Sequence, residues 1–284
     1  MANTAPRRFA PLKHTPEQQQ THLPRLQGII FDVDGTLCLP QNYMFAQMRS
    51  VLGIPKSTDI LTHISALPTP AEQEDAMASI RAIERAAMSS QVAQPGLDAL
   101  MTYLQARGMR KAICTRNFSQ PVAHLLGKFL AGVDFAPIVT RDFRPPKPDP
   151  AGLLFIARSW GLVRGVRGAA SPETSALRGG EAAARGPAAE REGARGARGA
   201  AHAGPDGEGD EEVGDASTLI MVGDSIDDMT AGRHAGAATV LLVNGENAHL
   251  ADHPHTDLVI RSLDELVGVL ETGFVGREIP LSSG

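Results

Sequence analysis

Phe31-Asp32-Val33-Asp34-Gly35-Thr36-Leu37 decides how this chain reads. Leu26, Ile29, Ile30 and Phe31 form an apolar run that predicts a buried strand, and the glycine after the acids predicts a tight turn at its end. Asp32 and Asp34 then stand at the mouth of a strand. Two close carboxylates repel, and burial favours their neutral forms. A divalent cation or a shared proton resolves that conflict, so the stretch marks a chemical site.

Outward from this point the chain alternates strands and helices. Leu97, Leu100, Met101 and Leu104 recur at helical spacing, Lys111 to Thr115 is a short strand, and Ser119 to about Phe129 is a helix. Ala136 to Val139 reads as a weaker strand and Pro150 to Trp160 as a helix. Leu219 to Val222 is a strongly apolar strand, followed by a helix from Asp228 to His234. Thr239 to Val243 and Leu258 to Ile260 are further strands, and Ser262 to Leu270 closes the chain as a helix. Apolar strands alternating with helices predict an α/β fold, a Rossmann-like doubly wound parallel sheet covered on both faces. A small α-helical block, about residues 40–94, is inserted after the first strand: helices around Phe45–Leu52, Ser57 or Thr58 to Ile64, and Met77–Ala87, with Pro68-Thr69-Pro70 as a break.

The expected domain plan is a disordered tail over 1–25, a core from 26–39, 95–162 and 218–275, the helical block 40–94, a disordered low-complexity insertion over 163–217, and a tail over 276–284. The insertion is rich in Ala, Gly and Arg (Gly193-Ala194-Arg195-Gly196-Ala197-Arg198-Gly199) and has too little apolar surface to offset chain entropy. Its Arg-Gly part is similar to RNA-binding segments, but interspersed glutamates and missing aromatics favour a neutral linker.

Composition narrows the function. The chain has 284 residues and a net charge of −5, which removes a general basic footprint for nucleic acid. Cys38 and Cys114 are the only cysteines, so no secreted disulfide framework is implied. Cys114 reads as packed; Cys38 is open to a reactive reading if a histidine lies near. No segment approaches the roughly 20 apolar residues that span a bilayer. Arg7 and Arg8, with no acid before Glu17, fit a mitochondrial leader, whereas the prolines oppose an amphipathic helix; the expectation is a cytoplasmic protein. A monomer is favoured, though no residue pattern sets the oligomeric state. The nine histidines, His124 and His234 among them, show no metal-ligand spacing.

Three further stretches carry chemistry. A strand ends in Thr115, followed by Arg116 and Asn117. Lys147 sits in the proline-fixed loop Arg144-Pro145-Pro146-Lys147-Pro148-Asp149-Pro150. Gly223-Asp224-Ser225-Ile226-Asp227-Asp228 follows the most apolar strand. Taken alone, Thr115 reads as a turn residue, Lys147 as a solvent-facing lysine, and Asp227 as a helix first-turn acid; Asp224 suits that last reading poorly.

In order, these stretches resemble the four motifs of the haloacid dehalogenase-like (HAD) hydrolase superfamily: DxDGT, a strand ending in Thr or Ser, a Lys before a helix, and GDxxxD. The resemblance covers about residues 27–162 and 218–270, and its wording is similar to the phosphoglycolate phosphatase-like subgroup with its small helical cap. It implies a Mg²⁺-dependent phosphatase acting on a small phosphorylated metabolite. Asp32 is the implied nucleophile and Asp34 the acid and base. Thr115, Arg116, Asn117 and Lys147 bind the phosphoryl group, Arg116 alternatively forming a loop salt bridge. Asp32, Asp34 and Asp224 hold Mg²⁺, and Asp228 supports the metal or Lys147. A haloacid dehalogenase is disfavoured by Asp34, which dehalogenases lack. A phosphomutase, and a non-catalytic protein binding through the Arg-Gly insertion, are the remaining readings.

Overall fold

The computed structural model describes residues 6–13, 22–165 and 212–278; the Arg-Gly part of the expected insertion lies outside the described residues. By its contacts the chain divides into 1–164 with 214–284, and 165–213. The main sheet, its helices and the helical block belong to the first unit.

Six parallel strands form that sheet: β1 (Gly28–Phe31), β2 (Arg110–Cys114), β3 (Ile138–Val139), β6 (Leu219–Gly223), β7 (Ala238–Leu242) and β8 (Leu258–Ile260). Val163–Gly165 (β4) and Glu212–Gly214 (β5) are two further short strands. The sheet order is β3-β2-β1-β6-β7-β8. Ile30 pairs with Ala112 on one side and Met221 on the other, and β1 and β6 are the two middle strands.

Alternation along each strand sends side chains to two separate cores. Ile29, Phe31, Ile113, Ile220 and Val222 join one cluster with α4 (Leu97–Ala106), α5 (Ser119–Phe129) and α8 (Glu265–Thr272). Ile30, Ala112, Cys114 and Met221 join the other with α6 (Ala151–Ser159) and α7 (Ile226–Ala235). Both faces are dry, which is why the strands read as continuous apolar runs rather than as alternating ones.

Between β1 and α4 stand α1 (Tyr43–Leu52), α2 (Ile60–Ser65) and α3 (Pro70–Ser89). Met48, Ile60, Ile64 and Ile80 make a small core of their own. Asp59, not Ser57 or Thr58, caps α2, accepting from Thr62 N at 2.8 Å. The expected break at Pro68-Thr69-Pro70 is the start of α3. Thr69 and Glu72 form a reciprocal capping box, and Pro70 occupies the first turn, where its missing N–H costs nothing.

Residues 6–13 depart from the expected disordered tail. Phe9 is 2% exposed, and its ring centroid lies 5.6 Å from that of Phe274. Phe9 N donates to Phe274 O at 3.0 Å and Leu12 N to Leu270 O at 2.8 Å. Gly276 and Arg277, expected in the second tail, bond to Arg7 O and Asp257 O. One aromatic among prolines carries no periodicity, so only its partner reveals it.

Where the expected insertion meets the core, Asp215 N donates to Leu162 O at 2.8 Å. The core ends are therefore already adjacent. Replacing 166–211 by a short Gly-Ser linker is expected to shift the melting temperature by less than about 6 °C, because loop length enters closure entropy only logarithmically. A collapsed melting transition in that variant would show that the segment is part of the core.

Candidate active site

The strand order creates a topological switch point between β1 and β6: the chain proceeds to β2 and β3 on one side and to β7 and β8 on the other. Ligand crevices in open α/β sheets form there, outside the carboxyl ends of the strands. Asp32 follows β1 and Asp224 follows β6, so both flank the crevice. Thr115 follows β2, and Lys147 lies on the loop after β3. Asp32 N donates to Val222 O at 3.0 Å, which extends the sheet ladder and fixes where its carboxylate starts.

Gly35 is required by this geometry. Its φ is +82°, and a Cβ there would sit 2.1 Å from Asp224 Oδ2. A side chain would push the first loop off the acid of the last motif.

Lys147 is the hub. It is 5% exposed, donates to Asp32 Oδ1 at 2.7 Å, and forms an ion pair with Asp228. Burial pulls its pKa down, but Asp228 and Asp32 outweigh that, and the net shift is upward. Asp228 is itself fully buried, and its second oxygen accepts from Ser225 Oγ at 2.6 Å and Ser225 N at 3.1 Å. Ser225 is the N-cap of α7, with Asp228 as its capping-box partner. One acid thus closes a helix start and anchors the lysine.

The site carries more negative charge than it can balance internally. Asp32 and Asp228 share a single lysine, and Asp34 and Asp224 add their charge beside them. Burial pushes the Asp32 carboxyl up, Lys147 holds it down and Asp228 adds to the rise, with a net upward shift. Asp34 goes to about 6, from burial and then the charge of Asp32, against one N–H from Gln41 at 3.0 Å. Asp224 goes to about 8, from burial and then Asp228, Asp32 and Asp34. Among the described residues its side chain has one hydrogen-bond donor, Asn244 Nδ2 at 3.5 Å.

Oxygens of Asp32, Asp224 and Asp228 lie within 4.8 Å of one another. With Asp228 committed to Lys147 and Ser225, the free hard-oxygen donors are those of Asp32 and Asp224. Such a donor set, with uncompensated negative charge, fits a Mg²⁺-class cation.

The phosphate-binding candidates separate. Thr115 is buried, and its Oγ1 accepts from Asn117 N at 3.2 Å, leaving the hydroxyl proton free to donate. Thr115 and Asn117 both line the crevice with Asp32 and Lys147. Arg116 lines it too, but is ion-paired with Asp227, the alternative expected for it. Cys38 is buried, and burial followed by the charges of Asp34 and Asp32 pushes its thiol up to about 12. It keeps its proton near neutral pH and is shielded from solvent, so it is not a reactive thiol.

Sequence reasoning missed several groups. Asn247 is buried, donates to Asp224 O at 2.7 Å and Leu242 O at 3.0 Å, and so ties the Asp224 turn to the end of β7. Asn42, at the start of α1, donates to Glu246 Oε2 at 2.8 Å and bridges the helical block to the same loop. A Gly-Glu-Asn stretch just past an apolar strand was the available signal, since loops at that sheet edge face the crevice.

An uncharacterized hydrolase of Saccharomyces cerevisiae is 36% identical to this chain over 252 residues, covering 88% of the chain and 91% of that protein. The chain belongs to the haloacid dehalogenase-like (HAD) hydrolase superfamily. The family model for HAD-hydrolase-like proteins matches residues 198–266 of this HAD hydrolase. A haloacid dehalogenase-like hydrolase domain-containing protein of Arabidopsis thaliana is 26% identical over 265 residues, covering 88% of the chain and 86% of that protein.

Among solved structures, a predicted phosphoglycolate phosphatase from Haemophilus somnus 129pt superposes with a TM-score of 0.56 at 16% identity, over 86% of this chain and 97% of that one. CbbY from Rhodobacter sphaeroides, in complex with xylulose-(1,5)-bisphosphate, gives 0.53 at 16% identity, over 85% and 96%. At these identities the likeness concerns the fold. Those structures bear on the Rossmann-like α/β fold, while the yeast hydrolase and the family it shows make this protein an enzyme of HAD type. No helix among its described residues is long and apolar enough to cross a membrane.

Proposed function

We propose that this enzyme is a Mg²⁺-dependent phosphatase that hydrolyses a small phosphomonoester through an aspartyl-phosphate on Asp32. The observation that carries the reading is the Asp32 carboxylate at the switch point, with Lys147 Nζ 2.7 Å from Oδ1 and an Asp224 oxygen within 4.8 Å.

An Asp32 oxygen would attack phosphorus while the bond to the leaving oxygen breaks. Asp34 would give that oxygen its proton. The raised carboxyl of Asp34, at about 6, supports a group that can hold a proton near neutral pH. The deprotonated Asp34 would then take a proton from water, whose oxygen attacks phosphorus and frees Asp32. Thr115, Asn117 and Lys147 would hold the phosphoryl oxygens and offset their charge. Arg116, tied to Asp227, would contribute through the loop rather than by direct contact.

Asp32, the Asp34 backbone carbonyl and Asp224 would hold Mg²⁺, which supplies charge neutralisation for the phosphoryl group. Asp228 would position Lys147. The helices α1–α3 would act as a cap: Phe45 lines the crevice, and the Gln41 N–H on Asp34 links the acid to the chain entering the cap.

The purified protein should hydrolyse p-nitrophenyl phosphate with Mg²⁺ and lose that activity in EDTA, with recovery on adding Mg²⁺ back. Activity indifferent to EDTA would remove the metal from this reading. No turnover of any phosphomonoester in a broad panel would remove the phosphatase.

A further inference from the structure

The crevice above Asp32 encloses about 720 Å³, far more than one phosphoryl group fills and well inside the roughly 300–1,000 Å³ of small-molecule sites. Arg116, Arg141 and Arg144 line it. Arg116 is spent on Asp227. Among the described residues, Arg141 and Arg144 have no carboxylate within ion-pair distance. Both stand on the loop between β3 and Lys147. The segment that delivers the ammonium to Asp32 therefore also presents two uncommitted guanidiniums to the same cavity.

Arg141 is held in place rather than trailing into solvent. Its N donates to Asn117 O at 2.9 Å, and its guanidinium carbon lies 4.7 Å from the centroid of the Phe118 ring. Stacking on an aromatic face orients the guanidinium plane and leaves its N–H edge free for a planar acceptor. Arg141 also lines a smaller cavity that runs from Asp34 to Glu84 and Met88 of α3, at the seam between helical block and core. Glu84 and Asp59 are the acids of the helical block that feel its charge, neither within ion-pair distance.

We propose that Arg141 and Arg144 form an anion subsite, so that the substrate is a small phosphomonoester carrying a second anionic group, a carboxylate or another phosphate. This rests on the phosphatase reading. A cation and a phosphoryl dianion would satisfy the acidic floor and Lys147; neither accounts for two unpaired guanidiniums at the wall. Arginine forks match carboxylate and phosphate oxygens two at a time, which converts that surplus charge into selectivity.

The test compares kcat and KM, with Mg²⁺, for ethyl phosphate, phosphoglycolate, a sugar bisphosphate and p-nitrophenyl phosphate. Wild type should favour phosphoglycolate or the bisphosphate over ethyl phosphate by at least tenfold in kcat/KM, and which of the two wins identifies the second anion. Arg141→Gln should shrink that ratio at least tenfold, mainly through KM, with Arg144→Gln acting in the same direction. Arg141→Lys, which keeps charge without the fork, should restore part of it. Absence of the preference in wild type overturns the subsite. So does an Arg141→Gln effect equal on all four compounds, which would mean that Arg141 only docks the helical block. If p-nitrophenyl phosphate is turned over and the preference is missing, the subsite alone falls; if no compound is turned over, the phosphatase reading falls with it.

Discussion

Asp32→Asn is expected to abolish Mg²⁺-dependent hydrolysis of p-nitrophenyl phosphate, with kcat down by at least about 10³-fold, or roughly 4 kcal/mol in the barrier. The substitution preserves shape, removes the charge and replaces one carboxylate oxygen by an NH2 group, which leaves no nucleophilic carboxylate. Lys147 keeps its other carboxylate, Asp228, so the buried ammonium is not stranded. The variant should therefore fold, with a circular dichroism spectrum matching wild type. A folded Asp32→Asn protein within tenfold of wild-type kcat would reject Asp32 as nucleophile.

Lys147→Met should have the largest effect on stability. The change leaves Asp32 and Asp228 facing each other, both nearly dry and without a cation between them. Removing one partner of a buried ionic cluster costs about 3–5 kcal/mol, and a drop of about 6–20 °C in Tm follows for a domain of this size. EDTA belongs in the buffer, so that no added cation substitutes for the ammonium.

The pH dependence has a definite sign. The Lys147 pKa is raised in the folded protein above its ordinary 10.5, so its stabilisation is complete below that value and is lost only as pH climbs through the higher folded value. At neutral pH the variant forfeits all of it. Asp32, whose carboxyl burial pushes above 3.8 while Lys147 holds it down, should rise further once the lysine is gone. A carboxyl raised by folding stabilises at low pH and loses that contribution as pH rises through its folded value. The Tm gap between Lys147→Met and wild type should thus widen as pH rises from the ordinary carboxylate value of 3.8 toward neutral. A gap that narrows over that range, or no gap at all, would contradict the ion cluster.

Which acids do which work was only partly legible along the chain. Asp228 read as a group supporting the metal or Lys147; its second task, capping α7 through Ser225, appears only in the fold, where one oxygen accepts from Ser225 and the other pairs with Lys147. Lys147 read by itself as solvent-facing; a fixed loop and two distant carboxylates bury it instead. Arg141 and Arg144 carried no local signal, and Asn244 and Asn247 only that of a polar stretch after an apolar strand. They sit in loops, where neither period 2 nor period 3.6 applies, and their meaning comes from what the sheet edge sets beside them.

The sequence by itself determined the six strands of the main sheet, most of the helices, the parallel α/β architecture and the four motif stretches, but not the short strands β4 and β5 inside the expected insertion. Dry strands must be apolar, amphipathic helices must repeat every three to four residues, and turns need their glycines; these are local requirements. The tertiary structure alone decided that Phe9 belongs to the core, that Arg116 is committed to Asp227, and that the carboxylates of Asp32 and Asp228 converge on one lysine. Those outcomes depend on strand order, and a switch point between β1 and β6 exists only when segments about 190 residues apart lie side by side.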